Sequence, residues 1–211
     1  MRTITKITNV YKFEELSPES QDNALDKYRD WMTDDPYWYT CETEYHKDLL
    51  TEQGIVKPEI YFSGFWSQGD GAVFECKEVD LIKLMESLGL QDKYELVYSF
   101  IKSEQLSVSV SIDRLPSMYS HENTAKFYLD VDELYNDDDL TEEDYQALQE
   151  QVYGWIDEIR ATIEQWRLDT CREIYQALED EYTLLQSDDV LKEQFIEMEY
   201  EFTEDGKMYH E

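Results

Sequence analysis

The segment from Ser63 to Ala72 (SGFWSQGDGA), with three glycines among polar side chains, has the most distinctive local sequence pattern in the chain. As a functional site, it would place Trp66, Ser67, Gln68 and Asp70 at the tip of a β-hairpin, where they could contact a partner. As a structural element, it is a tight turn whose glycines adopt positive φ while Trp66 packs down. It lacks the lysine and the following helix of a phosphate-binding loop. The structural interpretation is favoured, and binding stays the alternative.

Three consecutive aspartates, Asp137, Asp138 and Asp139, invite comparison with a calcium site. An EF-hand loop needs Gly at its sixth position and Glu at its twelfth, and no starting point here supplies both. A solvated acidic loop before a helix fits better. Together with Glu142 and Glu143, these aspartates are predicted to form part of a partner-binding surface. No metal and no cofactor is predicted.

Catalysis finds little support in the remaining side chains. The three histidines have no local partner pattern with a cysteine or serine. Among 50 acidic residues, any pair of carboxylates is uninformative about glycoside hydrolysis. The three cysteines are far apart and odd in number, which indicates reduced thiols rather than disulfides or zinc ligands. The protein is therefore predicted not to be an enzyme, with a carboxylate-held metal hydrolase as a more distant alternative.

The carboxylates after residue 140 lie in a segment that predicts one long helix. Apolar residues recur in steps of three and four from Tyr145 to Leu185, and Thr141 with Asp144 resembles a capping box. Around this stripe, Asp157, Glu158 and Glu164 are predicted to contact a partner. Soluble helices normally interleave bases with acids for i,i+4 pairing. Between Thr141 and Leu191 the only bases are the three arginines Arg160, Arg167 and Arg172.

Net charge restricts the class of partner. The chain carries a formal charge of −32, and residues 130–211 hold 27 acids against 5 bases. Such a surface repels nucleic acid and anionic membranes and attracts basic proteins. Because duplex DNA carries one charge per roughly 1.7 Å of its axis, a rod of carboxylates could imitate its field. DNA mimicry is the sharper hypothesis, and a general acidic docking face for a basic protein is the softer one.

The elements that must position these side chains indicate an α+β protein. An antiparallel sheet is expected from residues 59–131 together with an N-terminal strand at residues 3–13, packed by short helices and one long acidic C-terminal helix. Residues 94–101 suit either a helix or a strand. A small hairpin should turn at residues 204–206. Residues 1–135 are predicted to form a core domain, and residues 136–211 the long helix and terminal hairpin, packed with that core as one unit.

Three stretches resemble a family of bacteriophage proteins of undetermined function that are sometimes labelled antitoxin-like. The stretches are residues 10–17 (VYKFEELS) with the helix that follows them, 60–75 (IYFSGFWSQGDGAVFE) and 200–206 (YEFTEDG). The resemblance as a whole extends over about half of the chain. The second stretch is specific. The resemblance implies phage origin and an accessory role such as countering host defence, and it supplies no catalytic residues.

Charge and resemblance together predict a phage-encoded anti-defence inhibitor, which binds a basic host protein through its acidic, DNA-mimicking surface. The partner is expected to be a nucleic-acid-binding defence enzyme, without direct contact to nucleic acid or membrane, and a homodimer is an option. An antitoxin-like or regulatory binding module that uses the SGFWSQGDGA hairpin is the alternative. With no apolar run of the roughly 20 residues that a span requires and no signal peptide, the expected location is the cytoplasm of the bacterial host.

Overall fold

The computed structural model describes residues 1–3, 7–135 and 141–209. The fold is α+β, which confirms the predicted class. The helices are α1 (Pro18–Tyr28), α2 (Thr40–Glu52), α3 (Leu81–Ser87), α4 (Glu95–Lys102), α5 (Glu142–Leu185) and α6 (Asp188–Glu197). The strands are β1 (Tyr11–Lys12), β2 (Ile55–Val56), β3 (Glu59–Ser63), β4 (Gly71–Glu75), β5 (Glu78–Val79), β6 (Leu106–Arg114), β7 (Ala125–Leu134) and β8 (Glu201–Phe202).

The chain divides into two compact units. The larger is Glu42–Ala177, and the smaller combines both chain ends, Met1–Cys41 and Leu178–Glu211. Helix α5 contributes residues to both units. The domain boundary predicted at residues 135/136 lies inside the larger unit.

Strands in the larger unit pair as short antiparallel ladders rather than as one broad sheet. Strand β3 pairs with β4, β6 with β7, and β2 with β5. The bridge between Cys76 and Ile112 joins the first two ladders through backbone hydrogen bonds of 2.9 and 3.0 Å. The ambiguous residues 94–101 fall in helix α4, where Val97 is buried.

Helix α5 extends over 44 residues and packs its apolar stripe within the protein, as the periodicity predicts. The buried stripe residues in the larger unit are Val152, Ile156, Ile159, Ile163 and Ile174. The predicted cap at the start is present, because the backbone N–H of Asp144 donates to Thr141 Oγ1 at 3.2 Å. Thr141 Oγ1 in turn donates to the Asp144 carboxylate at 2.7 Å. The helix therefore begins at the predicted residue.

The smaller unit is built around an aromatic cluster. The rings of Phe13, Phe195 and Phe202 lie 5.2 to 6.0 Å apart, at distances typical of edge-to-face packing. Ser17 caps helix α1 as predicted, since its hydroxyl accepts from the backbone N–H of Ser20 at 3.2 Å. Helix α6 was not expected, although Ser187 caps it in the same way.

The N-terminal strand differs from the prediction in length and partner. Among the described residues of that stretch, the strand is β1, and a 3₁₀ turn at Phe13–Glu15 follows it and carries Phe13 into the aromatic cluster. Strand β1 pairs with β8, so the expected pairing with the 59–131 sheet is wrong. The terminal turn at residues 204–206 is confirmed by a 2.8 Å hydrogen bond from the backbone N–H of Thr203 to the carbonyl of Lys207.

None of the described helices combines the length and apolar composition that crossing a membrane requires.

Candidate functional site

The SGFWSQGDGA segment forms the tip of the β3–β4 hairpin. The ladder closes at the pair Ser63 and Gly71, and the residues between them make the loop. Gly69 adopts a φ of +96°, as the turn chemistry predicts. The Asp70 carboxylate accepts a hydrogen bond from the backbone N–H of Ser67 and so braces the loop from inside. Asp70 is therefore a structural residue of the turn, while Gln68 remains exposed.

Trp66 contradicts the structural interpretation of this segment. Its side chain does not pack down but is 75% exposed. Its φ is +78°, so the backbone at this position is left-handed without being glycine. That conformation costs an L-residue about 1–2 kcal/mol. Strain at a solvent-exposed aromatic residue brings no packing in return, and such outliers are typical of functional positions.

A second loop packs beside the hairpin tip. The backbone N–H of Ser120 donates to Ser63 Oγ at 2.6 Å. The Tyr119 ring lies so close to Gly69 that an added Cβ would be 3.2 Å from it. Met118, next to Tyr119, is 84% exposed. Trp66, Met118 and Tyr119 are called the tip surface below.

A network of polar side chains fixes the second loop to the strands. The Arg114 guanidinium lies 4.3 Å above the Tyr61 ring and donates to Ser120 Oγ at 2.8 Å. Tyr61 donates its hydroxyl proton to Glu75 Oε1 at 3.0 Å, and this bond raises the pKa of Tyr61. Because Ser120 is buried, the loop carrying Met118 and Tyr119 is held in place from below.

The long-helix carboxylates predicted for partner binding are engaged within the protein. Asp157 pairs with Arg160 one turn away. Glu158 accepts hydrogen bonds from the Tyr94 hydroxyl at 2.9 Å and from Lys93 at 3.3 Å. These bonds lower the pKa of Glu158.

The third of these carboxylates, Glu164, belongs to a partly buried ion pair. Both of its oxygens accept from the Arg167 guanidinium, at 2.7 and 2.8 Å. Arg167 is only 1% exposed and also donates to the carbonyl of Glu122 at 2.9 Å. Bidentate pairing with a third hydrogen bond is the arrangement that makes a buried arginine tolerable. Glu164 therefore has a structural role.

The remaining predicted acids are placed differently. Glu142 and Glu143 are exposed in the first turn of helix α5, where negative charge favours the helix dipole. Asp137, Asp138 and Asp139 lie outside the described residues. Glu142 and Glu143 therefore provide exposed negative charge beside the helix start.

Two of the three cysteines, Cys76 and Cys171, are buried, whereas Cys41 is exposed. Burial raises the pKa of Cys76 and of Cys171 to about 11, which keeps both thiols protonated and unreactive at neutral pH. Within residues 1–3, 7–135 and 141–209, no three or more His, Cys, Asp or Glu side chains form a group able to hold a metal ion.

Sequence reasoning found Trp66, Gln68 and Asp70 but missed the second half of the tip surface. Met118 and Tyr119 lie in a turn between β6 and β7, where no periodicity marks them. The available signal was two large apolar side chains in the short polar segment PSMYS, residues 116–120. Exposure of such residues indicates a binding surface only when a neighbouring loop is known to lie beside them.

No curated protein and no solved structure matches the chain significantly. One family model, described as a domain of unknown function (DUF8835), matches residues 38–188. The match includes the whole tip surface and the Arg114 network beneath it. It therefore covers most of the chain of 211 residues, including the site described above. The chain belongs to the DUF8835 family.

Proposed function

We propose that this protein is a non-enzymatic binding module that docks on a basic partner protein through the tip surface. The observation that carries the proposal is Trp66, a large aromatic side chain held in solvent on a left-handed backbone. Tryptophan, tyrosine and methionine are enriched at the cores of protein interfaces, and tryptophan is the commonest type of hot spot. The tip surface combines all three on two mutually supporting loops.

The net charge supports a basic partner. At −32, the protein attracts basic surfaces over distances well beyond contact and repels nucleic acid and anionic lipid. Steering of this kind raises the association rate, whereas a desolvated aromatic anchor slows dissociation. The acidic surface and the tip surface therefore have separate roles in one binding event.

A nucleic-acid-binding defence enzyme of a bacterial host is the partner class that we propose, with the protein acting as a phage-encoded inhibitor. The basic groove of such an enzyme is complementary to the acidic segment at residues 130–211, which holds 27 acidic and 5 basic residues. DNA mimicry is a second candidate mechanism supported by this charge excess. In that case the carboxylates would occupy the groove, and the tip surface would contribute less.

The two mechanisms separate in a capture experiment with host lysate. Wild type, Trp66→Ala and Tyr153→Ala are immobilised, and Tyr153, an exposed aromatic residue on helix α5, serves as the matched control. We expect a nucleic-acid-binding protein on wild type and Tyr153→Ala, and at least a tenfold loss of affinity with Trp66→Ala once that protein is purified.

Salt and duplex DNA complete the test. A partner that survives a high-salt wash on wild type but not on Trp66→Ala supports docking through the tip surface. Full retention by Trp66→Ala, with release by salt and displacement by duplex DNA, would contradict it and support mimicry by the acidic surface. Retention that ignores the variant, the salt and the DNA would contradict both mechanisms.

A further inference from the structure

A cleft of about 450 Å³ lies between helices α2 and α5 in the larger unit, on residues other than those of the tip surface. Leu49 and the fully buried Leu50 give it an apolar wall from α2. Trp166 lines it from α5, and its ring is supported by Phe74 at 6.0 Å. The volume falls within the usual range of ligand sites, about 300–1,000 Å³.

Two carboxylates from helix α5 line the same cleft, and they differ in how they are paired. Asp169 accepts from Arg172 at 2.7 Å and from Gln165 at 2.9 Å. Glu173, one turn further along, is exposed and takes part in no hydrogen bond or ion pair with any residue that the structure describes. The cleft therefore holds an aromatic ring, an apolar wall and a carboxylate whose charge is not neutralised.

His46 is a further polar side chain of the cleft, which Gln53 and Thr170 also line. Its side chain is 14% exposed, and its Nε2 atom makes no hydrogen bond within the described chain. Glu42 Oε1 lies 3.5 Å from that nitrogen. Burial lowers the pKa of His46, although Glu42 and Glu173 oppose the shift, and this favours the neutral imidazole.

We propose that the α2–α5 cleft binds the guanidinium group of an arginine side chain. A planar, weakly hydrated guanidinium stacks on an aromatic ring more readily than an ammonium group does. Its fork of donors fits a carboxylate such as Glu173, and the methylene stem of arginine covers apolar surface such as Leu49. The proposal rests on the proposed function only for the source of the arginine, a basic partner protein.

Binding of a single side chain can be measured without any partner. N-acetyl-arginine N-methylamide is titrated into the full protein, and the indole N–H resonance of Trp166 is followed by NMR. The citrulline analogue, which replaces the guanidinium by an uncharged urea of the same shape, is the matched ligand control. We expect saturable shifts of Trp166 with a millimolar dissociation constant for the arginine compound and none for the citrulline compound.

Two variants locate the contact. Glu173→Gln should weaken binding at least fivefold, whereas Glu150→Gln, an exposed acid of helix α5 that does not line the cleft, should leave it unchanged. Circular dichroism checks that both variants fold. Equal binding of the citrulline compound or of the corresponding lysine compound, or unchanged affinity in Glu173→Gln, would overturn the proposal.

The same titration with Trp66→Ala separates this proposal from the proposed function. We expect unchanged arginine binding, because Trp66 does not line the cleft. If the proposal for the cleft is wrong, the arginine titration shows it. If the proposal for the tip surface is wrong, the partner capture with Trp66→Ala shows it.

Discussion

Trp66 of the tip surface and the acids of helix α5 are both singled out by the sequence, but they differ in the contacts that their side chains make within the protein. At the tip, Trp66 is exposed and its backbone is strained. On the helix, Asp157, Glu158 and Glu164 each contact a basic side chain of the same chain. The first arrangement is unfavourable in the isolated protein, whereas the second is internally complementary.

The two kinds of residue call for different explanations. A charge that already has a partner contributes to the fold and to the long-range field of the protein, without needing a second molecule. A large aromatic side chain in water, held at a cost of about 1–2 kcal/mol in backbone energy, is stabilised only when something covers it. This contrast is the reason why we propose the tip as the contact surface and assign the helix acids to the fold and to the long-range field.

The largest effect expected from this comparison is on stability, at the helix. Arg167→Ala removes a buried guanidinium that serves Glu164 and the Glu122 carbonyl, and it leaves both without that donor. Breaking a buried pair from one side costs about 3–5 kcal/mol. Because Glu164 is about one-third exposed, we expect the lower end, about 3 kcal/mol of unfolding free energy, measured by urea denaturation.

Arg172→Ala is the matched control on the same helix. Arg172 also pairs with an acid three residues earlier, Asp169, but its side chain is 54% exposed. Exposed pairs contribute about 0–1 kcal/mol, so this variant should remain close to wild type. Similar losses in the two variants would show that burial does not distinguish the pairs, and Glu164 would again be available to a partner.

The sequence predicts helix α5 better than the tip surface, because apolar periodicity indicates which residues are buried and not which exposed residues lie together. The buried stripe of α5, its capping residue Thr141 and the turn at Gly69 all follow from local rules. Pairing of Glu158 with Tyr94 joins residues 64 positions apart, and no local pattern indicates it. The same holds for the contact of Tyr119 with Gly69 and for the pairing of β1 with β8. The prediction that Trp66 packs down is wrong. It follows from the usual pattern of glycine-rich turns, in which glycine and not an aromatic residue adopts the positive φ.

A smaller effect of opposite sign is expected at the tip. Trp66→Gly removes the left-handed strain, since glycine adopts φ near +78° without a Cβ clash. Little packing is lost from a side chain that is mostly in solvent. We expect the unfolding free energy to rise by about 0.5–1 kcal/mol in urea denaturation, while partner binding is lost.

Comparison with Trp66→Ala distinguishes the effect of backbone strain from the effect of removing the indole. Alanine keeps the Cβ and therefore the strain, so it should lose partner binding without becoming more stable. A destabilised Trp66→Gly protein would mean that the indole packs on its surroundings, and the distinction between tip and helix would weaken.

The smallest expected effect tests whether Glu158 is engaged at all. Hydrogen bonds from Tyr94 and Lys93 lower the pKa of Glu158 in the folded protein, so their stabilisation is present above the unfolded-state pKa and is lost as the pH falls through the folded-state pKa. An NMR titration of the side-chain carboxyl should show it ionising below the ordinary range for glutamate. Tyr94→Phe removes the larger cause and should move this pKa upward, whereas Tyr98→Phe, whose hydroxyl donates to Glu86 instead, should not.

An ordinary pKa for Glu158 in wild type, unmoved by Tyr94→Phe, would mean that this carboxylate is free in solution. The helix would then present charge to a partner as the tip presents its aromatic ring, and both regions would have to be tested as contact surfaces.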